Sequence, residues 1–240
     1  MIDKRNLPAL SRRGLLVGAG SMALAACSGN IIGPPPASQI YVLHPDFHPL
    51  PDAPMADWQL VIADPIAPQS LDRERIALIR APNAMDYYAN AQWNDRAPEL
   101  LQGLLVEAFE KSGRIKAVGR DVQDLAGNYI LELEVRNFEA YYAVPDAAPK
   151  IRVNLTATLM GSLRHDVIAT MDFAHEVQAD GNNLWSVTAA FTQATGAAIS
   201  EIVNWTLHLP VSTADSGAAS LADVPSPQPH SRRHRHHHHH

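Results

Sequence analysis

The sequence predicts an α/β fold: a single domain with a mixed β-sheet covered by two helices. Three observations predict it. Apolar and polar residues alternate through much of the chain, the two-residue period of half-buried strands. That period gives way to helical spacing twice, once before the middle of the domain and once at its end. The chain has one cysteine, Cys27, so no disulfide forms within it and the domain is held by packing. Strands mixed with helices in this way settle as layers around one core.

The domain is read as residues 39–209, and a chain of about 170 residues buries a sizeable single core. Ile40-Tyr41-Val42-Leu43 is a first short strand, followed by a Pro-rich connection through Pro54. Gln59–Ala63 is a second, stopped by Asp64-Pro65; Pro65 and Pro68 force an extended path. Arg75–Arg80 is a third, ended by Ala81-Pro82. Leu101, Leu104, Leu105, Ala108 and Phe109 then recur at helical spacing. Asp95 is the expected N-cap, Pro98 suits the first turn, and Gly113 suits the C-cap, so a helix runs over about Arg96–Ser112.

A block of four strands follows. Ile115–Val118 is short. Tyr129, Leu131, Leu133 and Val135 alternate with charged residues, giving one buried and one wet face. Ile151, Val153, Leu155, Ala157 and Leu159 repeat the pattern, as do Val167, Ala169, Met171, Phe173 and Val177. These read as an antiparallel meander with turns at 146–149 and near Gly161, closed by Asp180-Gly181-Asn182. The final element is helical: Leu184, Val187, Phe191, Ala194, Ala198, Ile202 and Trp205 share a face. Its small residues, Ala190 to Ala198, permit close approach to a sheet or another chain.

The two ends of the chain differ from the domain. Lys4, Arg5, Arg12 and Arg13 precede an apolar stretch, Leu15–Ala26, too short to span a bilayer. Leu24-Ala25-Ala26-Cys27-Ser28 reads as a bacterial lipobox. Residues 1–26 are thus a signal peptide, and the Cys27 sulfur is the lipid acceptor. Ser11-Arg12-Arg13-Gly14-Leu15-Leu16 resembles a twin-arginine export signal, and the general secretory route stays open. Residues 27–38, with Pro34-Pro35-Pro36, form a stiff lipidated tether. Residues 210–240 are rich in Ser, Ala, Asp and Pro and are read as a disordered tail ending in five histidines, which resemble a purification tag. Two or three acyl chains anchor effectively permanently, at ~0.8 kcal/mol per buried methylene. Ser28, rather than Asp, after the cysteine favours the outer membrane, facing the periplasm.

The net charge is −6, and without Lys4, Arg5, Arg12, Arg13 and Asp3 it becomes −9. An acidic mature domain argues against nucleic acid and against a second, electrostatic grip on anionic lipid. No Gly-x-Ser-x-Gly or Walker motif occurs. Ser112-Gly113 reads as a helix cap, and His165-Asp166 as neighbours in a turn that point apart. His44 and His48 lack a third nearby ligand, and His175 reads as a core or interface histidine. Asn154-Leu155-Thr156 and Asn204-Trp205-Thr206 are chance sequons. No catalytic, cofactor-binding or metal residue is assigned; the only cofactor-like group is the lipid on Cys27. Tyr87, Tyr88 and Trp93 are read either as a surface for transporter or apolar cargo or as packing that seats the first helix, with packing favoured.

Asp86-Tyr87-Tyr88-Ala89, Trp93-Asn94-Asp95 and Pro98-Glu99-Leu100-Leu101 together are similar to the ABC-type transport auxiliary lipoprotein family. The paraquat-inducible type C lipoproteins belong to it. Tyr41-Val42-Leu43, Leu71-Asp72 with Ile76, Phe109-Glu110-Lys111-Ser112-Gly113, Tyr129-Ile130-Leu131 and Val135-Arg136-Asn137-Phe138-Glu139 extend the likeness over about Ile40–Trp205. The tail after Pro210 is outside it. The resemblance implies an α/β fold and a non-enzymatic accessory lipoprotein. Such a protein acts beside an ABC ATPase, a permease and a periplasmic MCE-domain protein that move lipids or apolar compounds between membranes. It also favours a homo-oligomer. A regulator or structural partner of a cell-wall synthase or other envelope assembly is the second reading. A lipid-modifying hydrolase is the third.

Replacing the lipid acceptor, Cys27→Ala, is expected to release a soluble or uncleaved periplasmic protein. Fractionation of membranes reads this directly. A variant that still travels with outer membranes would remove Cys27 as the anchor.

Overall fold

The computed structural model describes residues 37–48, 52–120 and 127–211. The signal peptide, Cys27, most of the tether and nearly all of the tail lie outside the described residues. Among the described residues eight strands, one more than the sequence suggests, form one mixed sheet covered by two helices, the α/β fold the sequence predicts. The strands are β1 (Gln39–Tyr41), β2 (Ala56–Ile62), β3 (Arg75–Arg80), β4 (Ala84–Trp93), β5 (Ile115–Gly119), β6 (Tyr129–Tyr142), β7 (Lys150–Gly161) and β8 (Val167–Gln178). The helices are α1 (Ala97–Ser112), before β5, and α2 (Leu184–His208), after β8.

The sheet is built outward from β6. Along one edge β6 pairs antiparallel with β7, and β7 with β8, which is the expected meander. On the other edge its first residues pair parallel with β2 (Leu60↔Tyr129) and its last with β3 (Ala77↔Glu139). β4 then pairs antiparallel with β3, and β1 parallel with β4. β5 lies beside β2, in parallel, and so leaves the meander that the sequence suggested for its neighbours. The helix between β2 and β5 supplies the long crossover that a parallel pair requires.

Four strands, not three, precede α1. The additional one, β4, carries no clean two-residue period. Its register with β3 shifts between Arg75↔Gln92 and Ala77↔Tyr87, and Asn90 takes a left-handed φ of 54°. The extra residues break the alternation by which a strand is recognised. Asp95 does not cap α1. The N-cap is Arg96, and the Asp95 carboxylate accepts from the Arg96 N–H instead, while the Arg96 guanidinium binds Asp72 and Glu99. Pro98 does lie in the first turn and Gly113, with φ 60°, is the C-cap.

Both helices lie on one face of the sheet and touch each other, α1 toward β2 and β5, α2 over β7 and β8. Leu101, Leu105 and Phe109 of α1 are fully buried. Trp93, Phe138 and Phe191 stack at centroid distances of 5.1–5.8 Å; such aromatic pairs add about 0.5–1.5 kcal/mol each beyond their buried area. The small-residue run of α2 is used inside the chain. Ala190, Ala194 and Ala198 are buried, and a Cβ on Gly196 would come within 2.9 Å of Pro45. The buried side of the run thus makes the close approach to a sheet that the sequence allows, while Gln193 is exposed and Ala197 half-buried.

The expected inward face of β8 is only partly covered. Phe173 is buried under Trp205, 5.7 Å away, but Val167 and Met171 are exposed. α2 runs antiparallel to this edge strand and ends just past Phe173, so the residues at the start of β8 lie beyond it.

Phe109→Ala is expected to cost roughly 3–5 kcal/mol, the usual loss for a buried Phe. Urea unfolding measures it; an unchanged midpoint would be inconsistent with the packing of α1.

Candidate functional site

The residues singled out from the sequence separate in the fold. Trp93 is core, as the packing reading holds. Tyr87 and Tyr88 are half-buried and line a groove of about 470 Å³ at one end of the sheet. Ser112 is a cap: its hydroxyl donates to the Phe109 carbonyl at 2.6 Å and accepts from the Arg114 N–H at 3.2 Å. His165 sits in the β7–β8 turn, its N–H donating to the Gly161 carbonyl. His44 and His48 lie beside Thr192, Gln193 and Gly196 of α2. Among the described residues no group of three or more His, Cys, Asp or Glu is placed to hold a metal. His175 Nε2 is 3.0 Å from Glu201, tying β8 to α2. Cys27 lies outside the described residues.

The groove is made where three connections meet. The β3–β4 turn, the β6–β7 loop and the start of α2 all reach this end because β3 and β6 both run toward it and α2 begins there. The Ala81 N–H donates to the Tyr142 carbonyl at 3.0 Å, joining turn to strand. The Tyr142 hydroxyl donates to Asn182 Oδ1 at 2.6 Å, and Asn182 Nδ2 donates to the Asp146 carbonyl at 3.0 Å. That leaves the Tyr88 hydroxyl to donate to Tyr142, 2.7 Å away. Asn183 caps α2 by accepting from the Ser186 N–H.

Charge lines the rim. Arg80 binds Asp86 at 2.7 Å. Arg75 lies 4.3 Å from the Tyr87 ring centroid, with no ion pair among the described residues. Asp86 is held below the usual carboxylate range by its hydrogen bond from Arg80 and then by the Tyr87 N–H. Burial, then the hydrogen bond with Tyr142, pushes the Tyr88 hydroxyl well above its ordinary value. The phenol stays protonated, so the groove offers neutral hydroxyls, ring faces and guanidinium groups: the equipment of binding. The Asp86-Tyr87-Tyr88-Ala89 segment forms one wall. Arg75, Arg80, Tyr142 and Asn182 were not legible as site residues, because nothing in their local spacing says that the fold brings them together.

On the opposite face of the sheet a buried carboxylate stands in a charged row. Glu139 is 1% exposed and accepts from the Phe138 N–H and Asn137 Nδ2. Arg152 is its cross-strand partner and also pairs with Glu176, which binds Lys150 at 2.9 Å. Burial raises the Glu139 carboxyl, against the pull of its hydrogen bonds and Arg152. The hydrogen bond from Lys150 chiefly lowers Glu176.

The family described as ABC-type transport auxiliary lipoprotein component matches residues 41–203. The chain belongs to this family. A crystal structure of a Xanthomonas campestris protein is 34% identical, with a TM-score of 0.67 over 71% of this chain and 95% of that one. A second crystal structure, of an uncharacterised protein, shares the fold at 12% identity, with a TM-score of 0.56 over 71% of this chain and 99% of that one. No curated protein matches the sequence. The matched span runs from the end of β1 into α2 and contains every residue that lines the groove. Family membership makes this an auxiliary lipoprotein of ABC-type transport; among the described residues no helix is long and apolar enough to cross a membrane.

Glu139 sets a pH dependence. A carboxyl raised on folding favours the folded state in its neutral form. That contribution is full below the ordinary value of 4.5 and is lost as pH rises through the raised value. Glu139→Gln is therefore expected to gain stability relative to the parent as pH rises above 4.5. Asp86 and Glu176, both lowered, act the other way and only at lower pH. Thermal midpoints of the pair across this range check it. A difference that stays flat with pH would show that Glu139 titrates normally.

Proposed function

We propose that the protein is the membrane-anchored lipoprotein subunit of an MCE-type ABC transport system moving lipids or apolar compounds across the envelope. It acts by docking rather than catalysis, held by acyl chains on Cys27 at the periplasmic face of the outer membrane. The family match over residues 41–203, following a lipobox at Cys27, carries this reading. The groove supports it, since its tyrosines and arginines are suited to holding a partner or an amphipathic molecule. The homo-oligomer in this proposal rests on the family resemblance.

The domain, residues 39–209, is expected to form a homo-oligomer and to capture the MCE-domain protein encoded beside it, with tether and tail dispensable. Light scattering after size exclusion reads the first, and pull-down the second. A strict monomer that ignores the MCE protein would overturn the proposal and favour a partner of a cell-wall synthase.

A further inference from the structure

The end of the fold that carries the groove also carries exposed apolar side chains, among them the most exposed one of the described residues, Trp185. Trp185, in the first turn of α2, is 77% exposed; Val144, in the β6–β7 loop, is 60% and Met85, just past the β3–β4 turn, is 40%. All three flank the segments that the Ala81, Tyr142 and Asn182 hydrogen bonds tie together. An exposed Trp is costly in water and suits a boundary where its ring is in an apolar medium and its N–H is wet.

The chain itself indicates what covers this end. β4 starts at this end and runs away from it, and β1 is parallel to β4, with Gln39 opposite Ala91. The chain therefore enters β1 from the direction of the groove. Cys27 lies twelve residues before Gln39, a reach of at most about 40 Å. Drawing level with the β3–β4 turn takes roughly 17 Å, the length of β3. A tether of this reach, leading from this side, is long enough for this end to meet the surface holding the acyl chains.

The charges fit the same surface. Arg75 and Arg80 are balanced by Asp86 and Asp146 around the groove. A balanced rim does not steer toward anionic membranes. It does match a zwitterionic headgroup, with guanidinium for the phosphate and carboxylate for the ammonium.

We propose that the end formed by the β3–β4 turn, the β6–β7 loop and the first turn of α2 rests on the phospholipid surface. Trp185, Val144 and Met85 enter the interface, and Arg75 and Arg80 meet lipid phosphates. The inference rests on the lipid anchor at Cys27 and goes beyond it, because an anchored domain could hang free or face the bilayer with any other side.

Tryptophan fluorescence tests this on the full lipidated chain. The chain has four tryptophans. Trp58 and Trp93 are buried, and Trp205 packs on Phe173 well along the sheet from the groove. The lipoprotein is reconstituted in phosphatidylcholine vesicles with or without bromine on the acyl chains near the headgroup. The expected result is a loss of roughly a quarter of the emission in brominated vesicles, one tryptophan of four. The loss is expected to vanish in Trp185→Phe and to persist in Trp205→Phe. Vesicle flotation is run in parallel. Protein that floats but keeps equal emission in both vesicles overturns this inference and leaves the anchor standing. Trp185 shielded from iodide without bromine quenching also overturns it, in favour of a protein contact. A chain that fails to float overturns the anchor and this inference together.

Discussion

One extra residue in β6 determines what the rest of the structure can do. Against β7 the register passes from Val135↔Leu155 to Asn137↔Asn154, so Arg136 has no partner of its own. The period of a strand is two, so a single insertion exchanges its faces. Before the bulge Tyr129, Leu131, Leu133 and Val135 face the helices; after it Phe138, Ala140 and Tyr142 do. Phe138 thereby joins Trp93 and Phe191, and Tyr142 reaches Tyr88 and Asn182. Without the bulge Tyr141 would take that place, and Glu139 would point into the helix layer. The cost of burying Glu139 is instead met on the other face, where Asn137 and Arg152 are within reach.

The same strand meets a second constraint: its backbone needs partners along both edges. β2 and β3 cover only its two ends on one side. The connection between them serves the middle, as the Ile66 N–H donates to the Leu133 carbonyl and the Val135 N–H donates to the Ile66 carbonyl. Pro65 and Pro68 keep that connection extended, which suits a segment lying along an edge rather than turning away. The segment does the work of a strand without having a strand's period.

That explains what was legible in the sequence. Periodicity exposes elements with one buried face, so α1, α2 and β7 were readable with nearly their observed bounds, whereas β6 was readable only from Tyr129 to Val135, where the bulge ends its first alternation. It fails where residues are inserted. β4 was hidden by its shifted register, and α1 starts one residue later than Asp95 suggests because Asp95 binds the Arg96 N–H directly. The exposure of Val167 and Met171 depends on where α2 stops, which no local pattern in β8 encodes. The groove was the least legible feature. Its Tyr87 and Tyr88 stood out as aromatic, but Tyr142, the partner of Tyr88, lies 54 residues on, and Asn182, which accepts from Tyr142, another 40. Only the bulge brings them together.

The exposed apolar residues of the domain are not spread evenly along β8. Val167 and Met171 lie by its start, and Trp185 and Val144 lie beyond its end at Gln178. β7 and β8 are each 12 residues long, about 40 Å at the usual rise per residue. Val167 is thus separated from the second pair by the length of the strand and Met171 by rather more than half of it. On the proposed arrangement, with the groove end on the bilayer, the other end faces the periplasm. The ladder of β6, β7 and β8 fixes the distance between them, and the proposed docking role depends on such a fixed spacing more than on any single side chain.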